Sequence, residues 1–166
     1  MTSGFVDGCQ RFTRSVNRWF LSLAGLFTAA ILAVITYDLV ARNVFDAPTL
    51  WALDVSRFLL VFAVFFAMAP TLEAGAHVAV DLVEQALPSG AQHVTRIIAM
   101  LLVIIFAGFL LWHMTRATIE AFQDDSLFPT VIPVKLKWIY WVGPLGMVQF
   151  VVTAIGMLGA ELRRQP

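Results

Sequence analysis

The sequence predicts an all-α integral membrane protein with four transmembrane helices and an amphipathic interfacial helix between the second and the third. Three observations support this prediction. The 166 residues are 60% hydrophobic and only 13% charged, whereas soluble domains are about 45–50% apolar and about 25% charged. Four apolar stretches are each long enough to cross a bilayer, which takes about 20 residues. These stretches are continuous and lack the alternating pattern that is typical of β-barrel strands.

The predicted spans comprise residues 19–37, 50–72, 97–115 and 138–160, within a single membrane domain of residues 1–166. The first and fourth spans contain no charged residue, and the third contains only His113 as a titratable group. The second span contains Asp54 and Arg57 near its start. The first span has the basic flank of a signal peptide, but its 19 apolar residues exceed the usual 7–15, so we expect a retained span.

Residues 76–88 between the second and third spans are predicted to form the amphipathic helix. Apolar residues recur at helical spacing on one face, and His77 and Asp81 lie on the other. Pro88 and the following Ser-Gly end the pattern. Because the polar face is acidic, unlike that of most membrane-surface helices, two interpretations stay open. The helix lies either at the lipid interface or against another protein chain.

The other long connection, residues 116–137, contains Pro129 and Pro133. Two prolines make one continuous helix an unfavourable interpretation. The connection also carries the acidic residues Glu120, Asp124 and Asp125. We interpret it either as a solvated loop or as a docking surface for an external partner.

The distribution of Lys and Arg predicts the orientation of the chain in the membrane. With four spans, both termini lie on one side, together with the connection that contains Arg96. That side carries six Lys/Arg residues, and the opposite side carries four, leaving out Arg57 inside the second span. We therefore expect both termini in the cytoplasm.

The sequence lacks the motifs of several chemistries. Phosphate-binding glycine loops, the H-E-x-x-H zinc motif and the G-x-S-x-G nucleophile motif do not occur. The single Cys9 excludes an internal disulfide and a Cys-based zinc site. The net charge of zero offers no basis for nucleic-acid binding. We therefore expect no enzyme, with no catalytic, cofactor-binding or metal-binding residues, and the apolar span centres predict no solute site.

The charged pair in the second span is the main polar feature at membrane depth. Asp54 and Arg57 are three residues apart, which places them on one helix face. They form either a self-contained pair at the interface or a polar anchor at a helix or subunit contact, because intramembrane charges tend to face protein. Arg42 has two candidate partners, Asp54 and Asp38.

Small residues on two spans predict close helix packing, against this chain or against another one. On the first span they are Ser22, Gly25, Ala29 and Ala33. On the fourth span they are Gly143, Gly146, Thr153, Gly156 and Ala160.

Several motifs in order resemble the small membrane subunit of tripartite ATP-independent periplasmic (TRAP) transporters, the DctQ type. They are R-N-V-F at 42–45, W-A-L-D-V-S-R at 51–57, E-A-G-A-H-V-A-V-D-L at 73–82 and Leu-Pro at 87–88. Further motifs are Ser-Leu at 126–127, Ile-Pro at 132–133, Trp138, Tyr140 and P-L-G at 144–146. The resemblance covers about residues 38–146. Asp54 departs from the family pattern, which has Glu at that position, and Lys135 and Lys137 add charge near Trp138.

The resemblance implies a scaffold subunit of the bacterial inner membrane, surrounded by membrane lipids. It implies two protein partners: a large DctM-type membrane subunit that carries the solute and ion sites, and a periplasmic substrate-binding protein. Uptake of an organic acid would then be driven by an ion gradient through symport. Candidate structural or subunit-interface residues are Arg42, Trp51, Asp54, Arg57, His77, Asp81, Pro133, Trp138, Tyr140 and Pro144. Candidates for docking the binding protein are Glu120, Asp124 and Asp125.

Two other classes of function remain open at this point. A membrane anchor subunit of a respiratory enzyme complex would need haem ligands within the membrane, where only His113 lies near. A small independent channel or exporter is disfavoured by the apolar centres of the spans.

Overall fold

The computed structural model describes residues 2–75, 89–124, 127–128 and 133–162. Side chains of the first helix are described from Arg11 onward, and those of the third helix at Gln92 and from Val94 onward. The helices within this part of the chain are α1 (Thr2–Val44), α2 (Ala52–Glu73), α3 (Ser89–Gln123), α4 (Lys137–Tyr140) and α5 (Val142–Glu161).

The four-span prediction is confirmed, because four helical stretches in the described residues are long and apolar enough to cross a membrane. They are Arg11–Val44, Ala52–Glu73, Val94–Gln123 and Lys137–Glu161. The fold is therefore an all-α membrane protein.

The first and third helices are much longer than their predicted spans. α1 has 43 residues, which at 1.5 Å per residue is about 64 Å, roughly twice the hydrocarbon thickness of a bilayer. The interpretation of residues 116–137 as a connection is wrong over its first eight residues, because α3 continues to Gln123. No glycine or proline interrupts residues 109–123, so the helix continues past the apolar stretch that predicted it.

The fourth span is broken between α4 and α5 at Trp141. Pro144, in the first turn of α5, has no N–H to donate to the carbonyl of Tyr140, four residues earlier. The hydroxyl of Thr118 on α3 donates to that carbonyl at 3.1 Å instead. The proline thus frees an acceptor that ties the fourth span to α3.

α1 ends with a left-handed residue rather than with a glycine. Asp46 has φ of 50°, and the N–H of Ala47 donates to the carbonyl of Ala41 at 3.0 Å. The residue in the left-handed region turns the chain back, so that a carbonyl in the last turns of the helix accepts a further hydrogen bond. The reversal starts the short connection to α2.

The helices form an open row in the order α1, α2, α5, α3. α1 packs along α2, α2 packs on α5, and α5 packs on α3. Among the described residues, α2 and α3 share no close backbone contact. α1 and α3 are therefore the outer helices of the row, and both expose large apolar side chains such as Leu32 and Ile105.

Two apolar clusters hold the row together. One joins α2, α3 and α5 around Ala69, Ala107, Met147 and Phe150. The other joins α1, α2 and the start of α5 around Ala24, Phe66 and Val142. In the second cluster the ring of Phe66 contacts Phe20 edge-on, with centroids 4.8 Å apart. Such aromatic pairs contribute beyond their buried area.

Small residues differ sharply in what they contact. A Cβ added to Gly146 on α5 would lie 2.7 Å from the carbonyl oxygen of Phe65 on α2. A Cβ added to Gly25 or Gly156 would have no neighbour within 4 Å. Gly146 therefore sets the close approach of α2 and α5. The small-residue face of α1 around Gly25 is exposed within the described part of the chain.

The predicted amphipathic helix of residues 76–88, with His77 and Asp81, lies outside the described residues and stays a prediction. Asp125 lies outside them as well. α2 ends at Glu73, and Gly75 adopts a φ of 69°, a backbone conformation that glycine takes at little cost.

Candidate functional site

The described polar side chains lie mainly toward the two ends of the long helices. The hairpin end contains the connection between α1 and α2 and the adjoining turns of both helices, including Asp38 and Asp54. The terminal end contains Asn17, Glu73 and Glu161.

Arg42 at the hairpin end pairs with Asp38 rather than with Asp54. Its Nη2 atom lies 3.1 Å from Oδ2 of Asp38, one helical turn earlier. The other carboxylate oxygen of Asp38 accepts from the backbone N–H of Thr49 at 3.0 Å and from the Thr49 hydroxyl. Asp38 therefore connects the last turns of α1 to the chain that enters α2.

Asp54 and Arg57 form the pair that their spacing suggests. Nη1 of Arg57 lies 3.6 Å from Oδ1 of Asp54. Asp54 is 5% exposed, whereas the side chain of Arg57 is 57% exposed. The carboxylate lies in the first turn of α2, where the helix dipole favours negative charge. The neighbouring Ser56 hydroxyl is buried and has no hydrogen-bond partner within the described residues.

The aromatic and proline candidates do not converge on one site. Trp51 stacks at a tilt on Tyr37, with ring centroids 5.9 Å apart. Trp138 is exposed, and its carbonyl accepts from the indole N–H of Trp141 at 2.9 Å. Pro133 lies exposed in the connection before α4. Tyr140 and Pro144 act together at the break in the fourth span, as described above.

Two of the three acidic docking candidates are described. Glu120 lies on the last turn of α3, and Asp124 directly follows that helix. Both are exposed, and the N–H of Asp124 donates to the carbonyl of Glu120 at 2.9 Å. They therefore extend from the hairpin end as a helix terminus instead of a loop.

Sequence reasoning missed a polar network at the terminal end, which joins three helices. The Nδ2 atom of Asn17 on α1 donates to Oε2 of Glu73 at 2.6 Å and to Oγ1 of Thr153 at 3.2 Å. Its Oδ1 atom accepts from Nε2 of Gln149 on α5 at 2.8 Å. Asn17 and Thr153 are each only 2% exposed. The network therefore joins α1, the end of α2 and α5.

Two ion pairs flank this network. Nε of Arg14 lies 3.4 Å from Oε1 of Glu73, so both carboxylate oxygens of Glu73 contact α1. Nη1 of Arg96 on α3 lies 3.2 Å from Oε1 of the buried Glu161 on α5. The terminal end thus has cross-helix polar contacts for all four long helices.

A signal for this network exists in the sequence, although it is weak. Gln149 is an amide inside an otherwise apolar span, and Glu73 closes the second span. Polar residues at membrane depth usually find a protein partner. Their pairing across 56 to 136 residues of sequence was visible only in the folded chain.

The candidate haem residue His113 lies exposed on α3 and stacks on Phe109, with ring centroids 5.8 Å apart. In the described part of the chain, no group of three or more His, Cys, Asp or Glu side chains is placed to hold a metal ion.

The fold and these contacts define a four-span integral membrane protein. Several of its described polar groups join neighbouring helices near their ends, and its outer helices expose large apolar side chains. The comparisons with known proteins agree with this class and make it more specific.

A family model described as "Tripartite ATP-independent periplasmic transporters, DctQ component" matches residues 31–164. The chain therefore belongs to the DctQ family, and the resemblance noted in the sequence is confirmed. A curated relative is the sialic acid TRAP transporter permease protein SiaT of Haemophilus influenzae (strain 86-028NP), 24% identical over 132 residues. The match covers 78% of this chain and 20% of SiaT, so the chain spans about a fifth of that relative's length.

Membership of this family, together with the four spans, indicates a multi-pass protein of the inner membrane that takes part in transport. It does not favour the respiratory anchor as an alternative.

Proposed function

We propose that this chain is the small scaffold subunit of a TRAP transporter, which holds a large DctM-type membrane subunit in place during uptake. A periplasmic binding protein would deliver an organic acid, and an ion gradient would drive its symport. The observation that carries the proposal is the family match from the middle of α1 to beyond α5. The proposed orientation places both termini in the cytoplasm and the hairpin end toward the periplasm.

The distribution of polar groups supports a scaffold rather than a solute carrier. Asn17, Glu73 and the ion pairs lie toward the ends of the long helices, where they join helices to each other. Gln149, at the middle of the fourth span, donates its amide N–H to Asn17 within this network. Transporters place polar groups and broken helices near the midplane. The described break, at Trp141, lies near the hairpin end of the fourth span. A chain braced at both ends suits a part that stays fixed while a partner moves.

The comparison with SiaT also supports a large membrane subunit as the partner of this chain. This chain corresponds to about a fifth of SiaT, so the matching part of SiaT is continuous with a much longer permease chain. We propose that a separate large subunit takes the corresponding place beside this chain. The exposed apolar side chains of α1 and α3 offer it membrane-depth surface.

The first test concerns the Asp54–Arg57 pair as a subunit contact. Arg57→Leu removes the exposed cation that pairs with the buried carboxylate of Asp54, and losing one partner of a pair with a buried member is destabilising. Co-purification of the large subunit and solute uptake are expected to fall together, by about tenfold for a loss of ~1.4 kcal/mol in binding. Arg11→Leu, at the exposed start of α1, is the matched control.

Normal co-purification and normal uptake with Arg57→Leu would show that the Asp54–Arg57 pair is not part of the subunit interface. Solute transport by the chain reconstituted alone would overturn the scaffold proposal as a whole. In that case an independent small channel or exporter would be the better interpretation.

The acidic end of α3 is the proposed contact for the binding protein. Reversing both exposed charges with Glu120→Lys and Asp124→Lys is expected to change the salt dependence of binding-protein-dependent uptake, because rim charges mainly steer association. Uptake should fall most at low ionic strength, where charges act over longer distances. Unchanged uptake at every salt concentration would exclude this contact, and charge-conserving Glu120→Asp is the control.

A further inference from the structure

An apolar groove of about 640 Å³ lies between α2 and α3, with α5 as its floor. The bottom of the groove is well packed, because Met147 on α5 and Ala107 on α3 are almost fully buried. The rim is open, since Val64 on α2 is 49% exposed and Leu102 and Phe106 on α3 are exposed as well. The groove lies where α2 and α3 both pack on α5 but share no close backbone contact with each other.

The length of the groove indicates what fits in it. Its lining runs from Val64 to Thr71 on α2 and from Leu102 to Leu110 on α3, which is about 10–12 Å along the helices. The hydrocarbon core is about 30 Å thick, so one leaflet is about 15 Å. The groove therefore matches the depth of one leaflet, whereas a spanning helix of a partner would need a groove through both.

A cation lies beyond the terminal end of the groove. Arg96 is seven residues before Val103 on α3, which places both on one helix face and about 10 Å apart along the axis. The Arg96 side chain is 34% exposed while it pairs with Glu161. Because a guanidinium carries five N–H donors and binds phosphate well, the exposed part of the Arg96 side chain can contact a phosphate.

We propose that this groove binds one phospholipid, with an acyl chain between α2 and α3 and the headgroup phosphate against Arg96. The apolar lining suits the chain, the groove depth suits one leaflet, and the positive charge suits the phosphate. The lipid would come from the leaflet at the terminal end. It would complete the packing between two helices whose backbones make no close contact.

The test uses the purified full chain without its partners, so that it is independent of the proposed transport function. After delipidation, phosphatidylglycerol is added back, and bound lipid is counted by native mass spectrometry. The chain is expected to retain one lipid more tightly than the rest. Val64→Trp, which fills the groove from its rim, is expected to weaken that retention about tenfold or more. Ala33→Trp, on the exposed face of α1, is the matched control.

A second variant tests the headgroup contact. The double substitution Arg96→Gln with Glu161→Gln removes the cation without leaving a buried carboxylate unpaired. It is expected to weaken retention of phosphatidylglycerol while the thermal unfolding midpoint stays close to that of the unchanged chain.

Equal lipid retention by the unchanged chain and by Val64→Trp would overturn the proposal. It would also be overturned if Val64→Trp left lipid retention intact but abolished co-purification of the large subunit, because the groove would then hold a protein helix. Loss of a dimer of this chain with unchanged lipid retention would assign the groove to a second copy, again against the proposal.

Discussion

Replacing Gly146 by alanine is expected to destabilise the protein, although alanine is the better helix former. The added Cβ would lie 2.7 Å from the carbonyl oxygen of Phe65 and 2.9 Å from its Cβ. These atoms belong largely to the backbone of α2, so they can move only if the whole helix moves. Overpacking of this kind costs about 1–3 kcal/mol, and Gly146→Leu should cost more. Thermal unfolding of the detergent-solubilised chain measures the effect.

Gly156→Ala is the matched control for this prediction. It lies on the same helix, and its added Cβ would have no neighbour within 4 Å. Helix propensity then favours alanine, so the unfolding midpoint should stay the same or rise. Equal midpoints for Gly146→Ala and Gly156→Ala would show that α2 and α5 do not approach as closely as the structure places them.

Replacing Asn17 by leucine should also destabilise the chain strongly. Leucine has a similar size but makes none of the hydrogen bonds that Asn17 forms with Glu73, Thr153 and Gln149. Leaving buried polar groups unsatisfied costs about 1–3 kcal/mol each. Measured hydrogen bonds between membrane helices are weaker, at about 0.6 kcal/mol on average, so we expect a total loss of about 2 kcal/mol. The unfolding midpoint should fall accordingly.

A double-mutant cycle distinguishes a lost network from a general packing defect. Asn17→Leu and Glu73→Gln both change the hydrogen bond between these two residues, so their effects on the free energy of unfolding should be non-additive. The effects of substitutions at independent sites add. Ser22→Leu is the control on α1, because its exposed hydroxyl bonds only to the carbonyl of Arg18 among the described contacts. Strict additivity of Asn17→Leu and Glu73→Gln would contradict the network.

Local features of this protein were predictable from the sequence. Each span can be recognised from its own apolar composition. A membrane helix forms its backbone hydrogen bonds within itself, so it does not depend on a partner segment for them. The pairing of Asp54 with Arg57 depends only on helix geometry three residues apart. α1 and α3 were predicted to be shorter than they are, because apolar composition marks the part of a helix inside the lipid and not the ends of the helix.

The residue contacts across helices were not predictable in the same way. Gly146 and Gly156 look alike in the small-residue row of the fourth span, and only one of them meets a neighbouring backbone. The sequence offered two carboxylates as partners of Arg42, those of Asp38 and Asp54. In the folded chain Arg42 pairs with Asp38, and the same carboxylate also accepts a hydrogen bond from the backbone N–H of Thr49. The role of Pro144 depends on Thr118, which reaches the freed carbonyl from a different helix.

The sequence by itself therefore determined that this is a four-span membrane protein and, through its motifs, the family to which it belongs. Both depend on composition and spacing along the chain. Only the tertiary structure decided the order of the helices in the row, the network around Asn17 and the groove between α2 and α3. These features depend on which helix faces meet. Because lipid tails are as apolar as the helix faces, the hydrophobic effect does not select one neighbour over another. The shapes of the packing surfaces and a few polar pairs distant in sequence determine the arrangement instead.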